Sequence, residues 1–240
     1  MLETTQGIVL HYIRYNDDSA IVDIFTLSRG SVSFLVRDRR QRKGGLHATL
    51  LRPLNIIELV FDYRPSLSLQ RLQELHIAHC YTSLPYEPIK ETVALFLSEF
   101  LHNVLRSEVQ NESLYHYILY SLQWFDAATE GVANFHIVFL VRMTHYLGFW
   151  PNIDVRNPLP FFDLKESVAT DREPSHNFFL KGEEAAMLPK LLRINVRNMH
   201  RFLLNRQQRN RILDVLTVYY QLHVPEFRDL RSLAVLREII

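Results

Sequence analysis

Ile8-Val9-Leu10-His11-Tyr12-Ile13-Arg14-Tyr15, then Asn16-Asp17-Asp18-Ser19, then Ala20-Ile21-Val22-Asp23-Ile24-Phe25-Thr26: this stretch decides how the chain begins to fold. The first run is β-branched and aromatic, and the middle is a cluster of turn formers. The second run puts Ala20, Val22 and Ile24 on one face and Asp23 on the other. Alternation broken by a short polar turn is the mark of a hairpin. Outward from it, Ser28-Arg29-Gly30-Ser31 turns the chain into a third strand, Val32 to Val36. Beyond a basic loop, Leu54 to Phe61 and Leu69 to Ile77 read as two more strands, separated by Arg64-Pro65-Ser66. Five short strands in about 75 residues suit a small closed barrel of the OB type, whose closure leaves no sticky edge. An SH3-like barrel fits nearly as well.

The period lengthens after Pro85. Val93, Phe96, Leu97, Phe100, Leu101 and Val104 form one stripe of an amphipathic helix, with Pro85 and Pro88 in its entry and first turn. Leu114 to Phe125 and Phe135 to Leu147 repeat the pattern, the latter stopping at Gly148 with Pro151 beyond. Residues 151–181 are rich in Pro, Asn, Asp and Ser and read as an irregular connection. Helical pattern resumes at Glu183 and continues to Ile240, broken near Asn195, Asn205 and Pro225. The expectation is an α+β, multi-domain chain: an OB-fold barrel over 1–80 followed by an all-α helical domain over 83–240.

Composition bounds the function. The 240 residues are 48% hydrophobic and 22% charged, ordinary values for packed domains, and the net charge of +1 does not by itself point to nucleic acid. One cysteine, Cys80, excludes an internal disulfide and a four-thiolate zinc site. The start, Met1 to Thr5, has neither a basic nor an apolar leader segment, and the longest apolar run, Phe135 to Val141, is far short of the roughly 20 residues of a membrane helix. A soluble, cytoplasmic protein is expected.

Catalytic motifs are missing. The chain has seven glycines and carries no phosphate loop, dinucleotide fingerprint or G-x-S-x-G elbow. His76 and His79 point to opposite faces of a strand and cannot share a metal there. Asp17-Asp18 and Glu183-Glu184 suit a turn and a helix start. No enzyme activity, catalytic residue, cofactor or metal is expected. Two cation clusters stand out instead. Arg37, Arg39, Arg40, Arg42 and Lys43 surround Asp38 and run into Gly44-Gly45; on a barrel loop they suit phosphate neutralisation. Lys190 to Arg211 holds seven cations and no carboxylate, with Arg193, Arg197 and Arg201 spaced to align on an unbroken helix and Arg206 and Arg209 following. Asn195 is placed to cap a new helix and break that stripe.

Several short motifs, in order along essentially the whole chain, resemble those of one protein family. Thr5-Gln6-Gly7-Ile8-Val9-Leu10 is similar to the family's opening strand. Tyr15, then Phe25-Thr26 to Arg29-Gly30, matches the next strand and turn, and Phe34-Leu35-Val36-Arg37 leads into its basic loop. Leu51-Arg52-Pro53-Leu54 and Glu58-Leu59 match the strand after it. Tyr146-Leu147-Gly148-Phe149-Trp150-Pro151 matches a Leu-Gly-x-x-Pro step. Tyr219-Tyr220 to His223-Val224-Pro225, and Leu230-Arg231-Ser232-Leu233 to Val235-Leu236, match the last helices. Many family members carry four zinc cysteines after the Leu-Gly-x-x-Pro step; here Asn152-Ile153-Asp154-Val155-Arg156 follows without one, so no zinc module is expected. Asp38 and Gly44 also depart from the family's usual loop, which often has Gly and Ser there.

By these motifs the chain resembles the RecO family of bacterial recombination-mediator DNA-repair proteins, and the resemblance implies an OB-fold joined to a helical domain. It implies binding of single- and double-stranded DNA, engagement of the single-strand-binding protein and RecR, help in loading RecA, and strand annealing in the bacterial cytoplasm, at the nucleoid during repair. The competing expectation is a protein-interaction scaffold whose barrel touches DNA only indirectly. A cryptic hydrolase, with convergent carboxylates in a pocket, is a third.

Overall fold

The computed structural model describes residues 2–16, 19–37, 48–154 and 156–240. In chain order these form strands β1 (Leu2–Asn16), β2 (Ser19–Thr26), β3 (Gly30–Arg37), β4 (Ile56–Asp62) and β5 (Gln70–His79), then helices α1 (Pro88–Val104), α2 (Glu112–Ala127) and α3 (Phe135–Tyr146). Three short strands follow, β6 (Phe161–Asp163), β7 (Val168–Thr170) and β8 (Phe179–Lys181), and then α4 (Glu183–Arg193), α5 (Arg206–His223) and α6 (Ser232–Ile239). Contacts divide the chain into two compact units: residues 1–127 with 230–239, and residues 128–229 with 240. The helices α1, α2 and α6 therefore belong to the unit that holds the barrel.

In that first unit the strands close in the order β1-β2-β3-β5-β4, with β4 pairing back onto β1. The β3–β5 pair is parallel, at Phe34↔Gln70 and Leu35↔Arg71; every other pair is antiparallel. This is the OB order, and it separates the fold from the SH3-like alternative. Alternate residues point inward: Val9, Val22, Ile24, Phe34, Val36, Ile57, Leu59 and Phe61 fill the interior. Phe34 and Phe61 meet edge to face at 5.1 Å, a favoured aromatic geometry.

Strand β1 is longer than Ile8 to Tyr15, the run read from sequence. Leu2 to Ile8 pairs with β4, and Gly7 to Asn16 pairs with β2. The added segment Leu2-Glu3-Thr4-Thr5-Gln6 is mostly polar and carries little strand signal, so partner backbone decides its state. Gly30 opens β3 at φ +71, and a Cβ there would lie 2.4 Å from Glu108 O and Val109 C. Ser31 N donates to the same Glu108 oxygen at 2.9 Å, so this turn docks the α1–α2 connection onto the barrel.

The step from β5 to α1 is organised by Asp126, at the end of α2. Its carboxylate accepts from the main-chain N–H groups of Thr82 (2.9 Å), Ser83 (2.9 Å) and Leu84 (2.7 Å). Burial pushes its pKa up, but the donors of Thr82, Leu84 and Ser83 outweigh burial and hold it at about 2. Lys90, buried in the first turn of α1, donates to Ser83 Oγ at 2.6 Å and to the Asp126 main-chain oxygen at 2.9 Å. On the same helix Glu99 accepts from Arg231 N (3.0 Å) and Ser232 N (2.8 Å), supplying α6 with a cap from another element.

The second unit corrects one expectation. Residues 151–181 are not irregular throughout: β6 pairs with β7 on one side and β8 on the other. Phe162, Leu164 and Leu180 pack with Tyr219 of α5 in an apolar cluster. Three-residue strands are too short to show a period, which is why the sequence reads as loop.

Gly30→Ala is expected to cost about 2 kcal/mol or more, through positive φ and the clash with residues 108–109, read as a lower urea midpoint. A carboxyl whose folded pKa is depressed stabilises above its unfolded pKa and loses that stabilisation as pH falls. The contribution of Asp126 therefore disappears between roughly pH 4 and pH 2, and Asp126→Asn should remove about 2 kcal/mol at neutral pH and shallow the acid limb of the stability profile.

Candidate nucleic-acid interface

Strand register lays the outward residues of the barrel into rows. His11, Asp23 and Ser33 stand opposite one another on β1, β2 and β3. One step along, Ile13 faces Ile21, Ile21 faces Leu35, and Leu35 faces Arg71 on β5, so an apolar line crosses three strands and meets an arginine on the fourth. Ile13 is 52% exposed and Tyr15, two residues on, 65%. The next row pairs Ser19 with Arg37, the last residue of β3. Arg39, Arg40, Arg42 and Lys43, which continue from it, lie outside the described residues, as does Asp38.

The β4–β5 loop borders this face and is held from below. Buried Gln70 donates through Nε2 to Arg64 O (3.0 Å) and Leu67 O (2.7 Å) and accepts from Arg64 N (2.9 Å). That clamp fixes the start of β5 and hence the position of Arg71. Among the described residues Arg71 has no recorded carboxylate partner, whereas Arg64 pairs with Asp62 at 3.0 Å and Arg29 with Glu3 at 3.1 Å. Sequence reading missed Arg71 because it stands alone in the chain; only the parallel β3–β5 pairing brings it to Leu35.

In the second unit the arginines do not form a stripe. Helix α4 ends at Arg193, and an asparagine turn follows: Asn198 Oδ1 accepts from Asn195 N (2.8 Å), and Asn195 Oδ1 accepts from Arg197 N (2.9 Å). Arg193, Arg197, Arg201 and Arg206 are exposed, spread over a helix end, a turn, a 3-10 turn and the start of α5. Asn205 caps α5 in a reciprocal box with Gln208. Arg209 differs from its neighbours: its guanidinium donates to the main-chain oxygens of Leu204 and Ile240. Burial, with Arg206 nearby, lowers its pKa. Arg211 pairs with Glu184.

A cavity of about 290 Å³ in this unit is lined by apolar side chains that include Val141, Phe162, Leu188 and Leu216, with Glu183, Glu184 and Arg211 as its charged members. Thr144, one turn along α3 from Val141, also lines it. Ser167 and His223 do not form a nucleophile–base couple. His223 Nε2 lies 2.7 Å from Leu164 O, so that nitrogen carries the proton and donates it, 3.4 Å from the serine oxygen. No helix among the described residues is long and apolar enough to cross a membrane.

A five-stranded barrel closed in the OB order belongs to a class of folds used to bind oligonucleotides and oligosaccharides. Residues 1–81 match the family model described as Recombination protein O N terminal, and residues 86–234 match Recombination protein O C terminal. The chain is 43% identical over 239 residues to the DNA repair protein RecO of Phocaeicola vulgatus, covering 100% of this chain and 99% of that one. It is 42% identical over 240 residues to the DNA repair protein RecO of Bacteroides fragilis and 34% identical over 240 residues to that of Christiangramia forsetii, with the same coverage. The chain belongs to the RecO family of DNA repair proteins.

The geometry of Arg209 separates it from the exposed cations. Arg209→Ala should lower the thermal midpoint, since it leaves partly buried carbonyls without donors at about 1–3 kcal/mol. The salt dependence of any nucleic-acid binding should stay as in the parent chain.

Proposed function

We propose that this chain acts as a recombination mediator that binds single- and double-stranded DNA. In this reading it engages the single-strand-binding protein and RecR, helps load RecA, and anneals complementary strands. The observation that carries the reading is the row Ile13–Ile21–Leu35–Arg71, with Tyr15 beside it and the basic loop of Arg37, Arg39, Arg40, Arg42 and Lys43 continuing from the same strand. Bases stack on apolar and aromatic surface whatever their identity, while guanidinium groups hold the phosphates; that pairing of surfaces is what single-strand binding requires. Arg193, Arg197, Arg201 and Arg206 form a secondary contact set, from which Arg209 drops out because its donors are already engaged. The same exposed cations suit the acidic tail of the single-strand-binding protein. The apolar cavity suits it less, since Glu183 and Glu184 outnumber Arg211 there.

Annealing on this view needs no catalytic group. Covering phosphates on two strands weakens their repulsion and raises the local concentration at which they meet. Fluorescence anisotropy with labelled single-stranded DNA across a salt series tests the assignment. Affinity should fall steeply with salt, and replacing Arg39, Arg40 and Arg42 with Ala should flatten the slope by roughly two units, at about 0.7 per phosphate contact. Tyr15→Ala should instead weaken binding by about tenfold with little change of slope, because it removes stacking and not charge. Negligible DNA affinity at moderate salt, with partner binding intact, would transfer the assignment to the interaction scaffold.

A further inference from the structure

The first outward row of the barrel, His11, Asp23 and Ser33, is met by a fourth side chain, His102 of α1. His102 Nε2 lies 3.0 Å and His11 Nδ1 3.7 Å from the same carboxylate oxygen, Asp23 Oδ2. The two imidazoles stack with centroids 4.3 Å apart and planes 14° from parallel. The other carboxylate oxygen, Oδ1, accepts from Ser33 Oγ at 2.5 Å. The three ligand-type atoms lie within 4.8 Å of one another, the one such group among the described residues.

We propose that His11 Nδ1, Asp23 Oδ2 and His102 Nε2 form a site for a transition-metal cation of the Zn²⁺ class, which ties helix α1 to strands β1 and β2. Ligands bonded tetrahedrally at about 2.0–2.2 Å sit roughly 3.2–3.5 Å from one another. The measured separations from the shared oxygen, 3.0 and 3.7 Å, fall on either side of that value. Two imidazoles and one carboxylate, with no thiolate, select Zn²⁺, Co²⁺, Ni²⁺ or Cu²⁺ over Mg²⁺ and Ca²⁺, which prefer oxygen-only shells.

Supporting groups are in place as well. Ser33 holds Oδ1 and leaves Oδ2 turned to the imidazoles, the outer-shell arrangement that orients a ligating carboxylate. Stacked rings cannot both hold one ion in plane, so one imidazole must tilt. His11 is the freer, with 42% of its side chain exposed against 29% for His102, and water has access to complete a four-coordinate shell. Ligands at positions 11, 23 and 102 follow no short spacing, so no sequence motif announces the site. Its ligands are not among the proposed DNA contacts, although their row adjoins that of Ile13, Ile21 and Leu35, and its test needs no DNA.

The full chain, stripped of metal with a chelator, is titrated with Co²⁺ as a visible-absorbing stand-in and then with competing Zn²⁺, and its thermal midpoint is followed in parallel. The expected result is one equivalent bound with an intense tetrahedral Co²⁺ spectrum, displaced by Zn²⁺, and a midpoint raised by several degrees. His102→Gln should abolish the spectrum. His11→Gln, which keeps the Asp23–His102 pair and the fold, should weaken binding at least about tenfold, and Ser33→Ala about tenfold through the lost support. His76→Gln, on an exposed strand position, should change nothing. Absence of a tetrahedral spectrum, equal binding by the parent chain and His11→Gln, or Zn²⁺ binding that leaves the midpoint unmoved would each overturn the site.

Discussion

Strand β1 has to satisfy backbone groups along both of its edges, and the barrel unit is arranged around that requirement. Leu2 to Ile8 is hydrogen-bonded to β4 and Gly7 to Asn16 to β2, with register shifts near Val9 and Arg14 where the strand bends between partners. Without this double pairing β2 and β4 would each present an open edge, and the interior filled by Phe34, Phe61 and their neighbours would be exposed on one side. Gly7 sits at the crossover, where a Cβ would lie 2.5 Å from Ile24 Cγ2. The closest approach of the strands therefore depends on a missing side chain.

Closure also creates the outer surface. The rows on which the functional reading rests exist because β1, β2, β3 and β5 hold a common register around one side of the cylinder. A one-residue slip would turn Ile13, Ile21 and Leu35 inward and bring core residues to water. Asp126 and Glu99 act on the helices of the same unit in a similar way. Each carboxylate gathers main-chain N–H groups from a segment distant in sequence, Asp126 at Thr82–Leu84 and Glu99 at Arg231–Ser232, so helix placement is set by charge-assisted hydrogen bonds as well as by apolar packing.

Arginines of the second unit show how little a charge count says about use. Five guanidiniums, on Arg193, Arg197, Arg201, Arg206 and Arg209, are alike on paper. Four are exposed, while the fifth finds the carbonyls of Leu204 and Ile240 and becomes part of the packing. Local chain direction makes the difference: the asparagine turn at 195–198 and the capping box at Asn205 each redirect the chain, so fourfold spacing in sequence no longer places side chains on one face.

Element type was legible in the sequence because it follows from a local pattern. Alternation over Ala20–Thr26, the apolar stripe from Val93 to Val104 and the Gly148–Pro151 stop each record which side of a segment is buried. The helix breaks near Asn195 and Asn205 and the family likeness were legible for the same reason. Strand order within the barrel, the polar half of β1, the three-stranded sheet within 151–181, the meeting of Arg71 with Leu35, and the convergence of His11, Asp23 and His102 were decided only by the tertiary structure. Each depends on which distant backbone supplies a partner, and burial periodicity within a single segment does not carry that information.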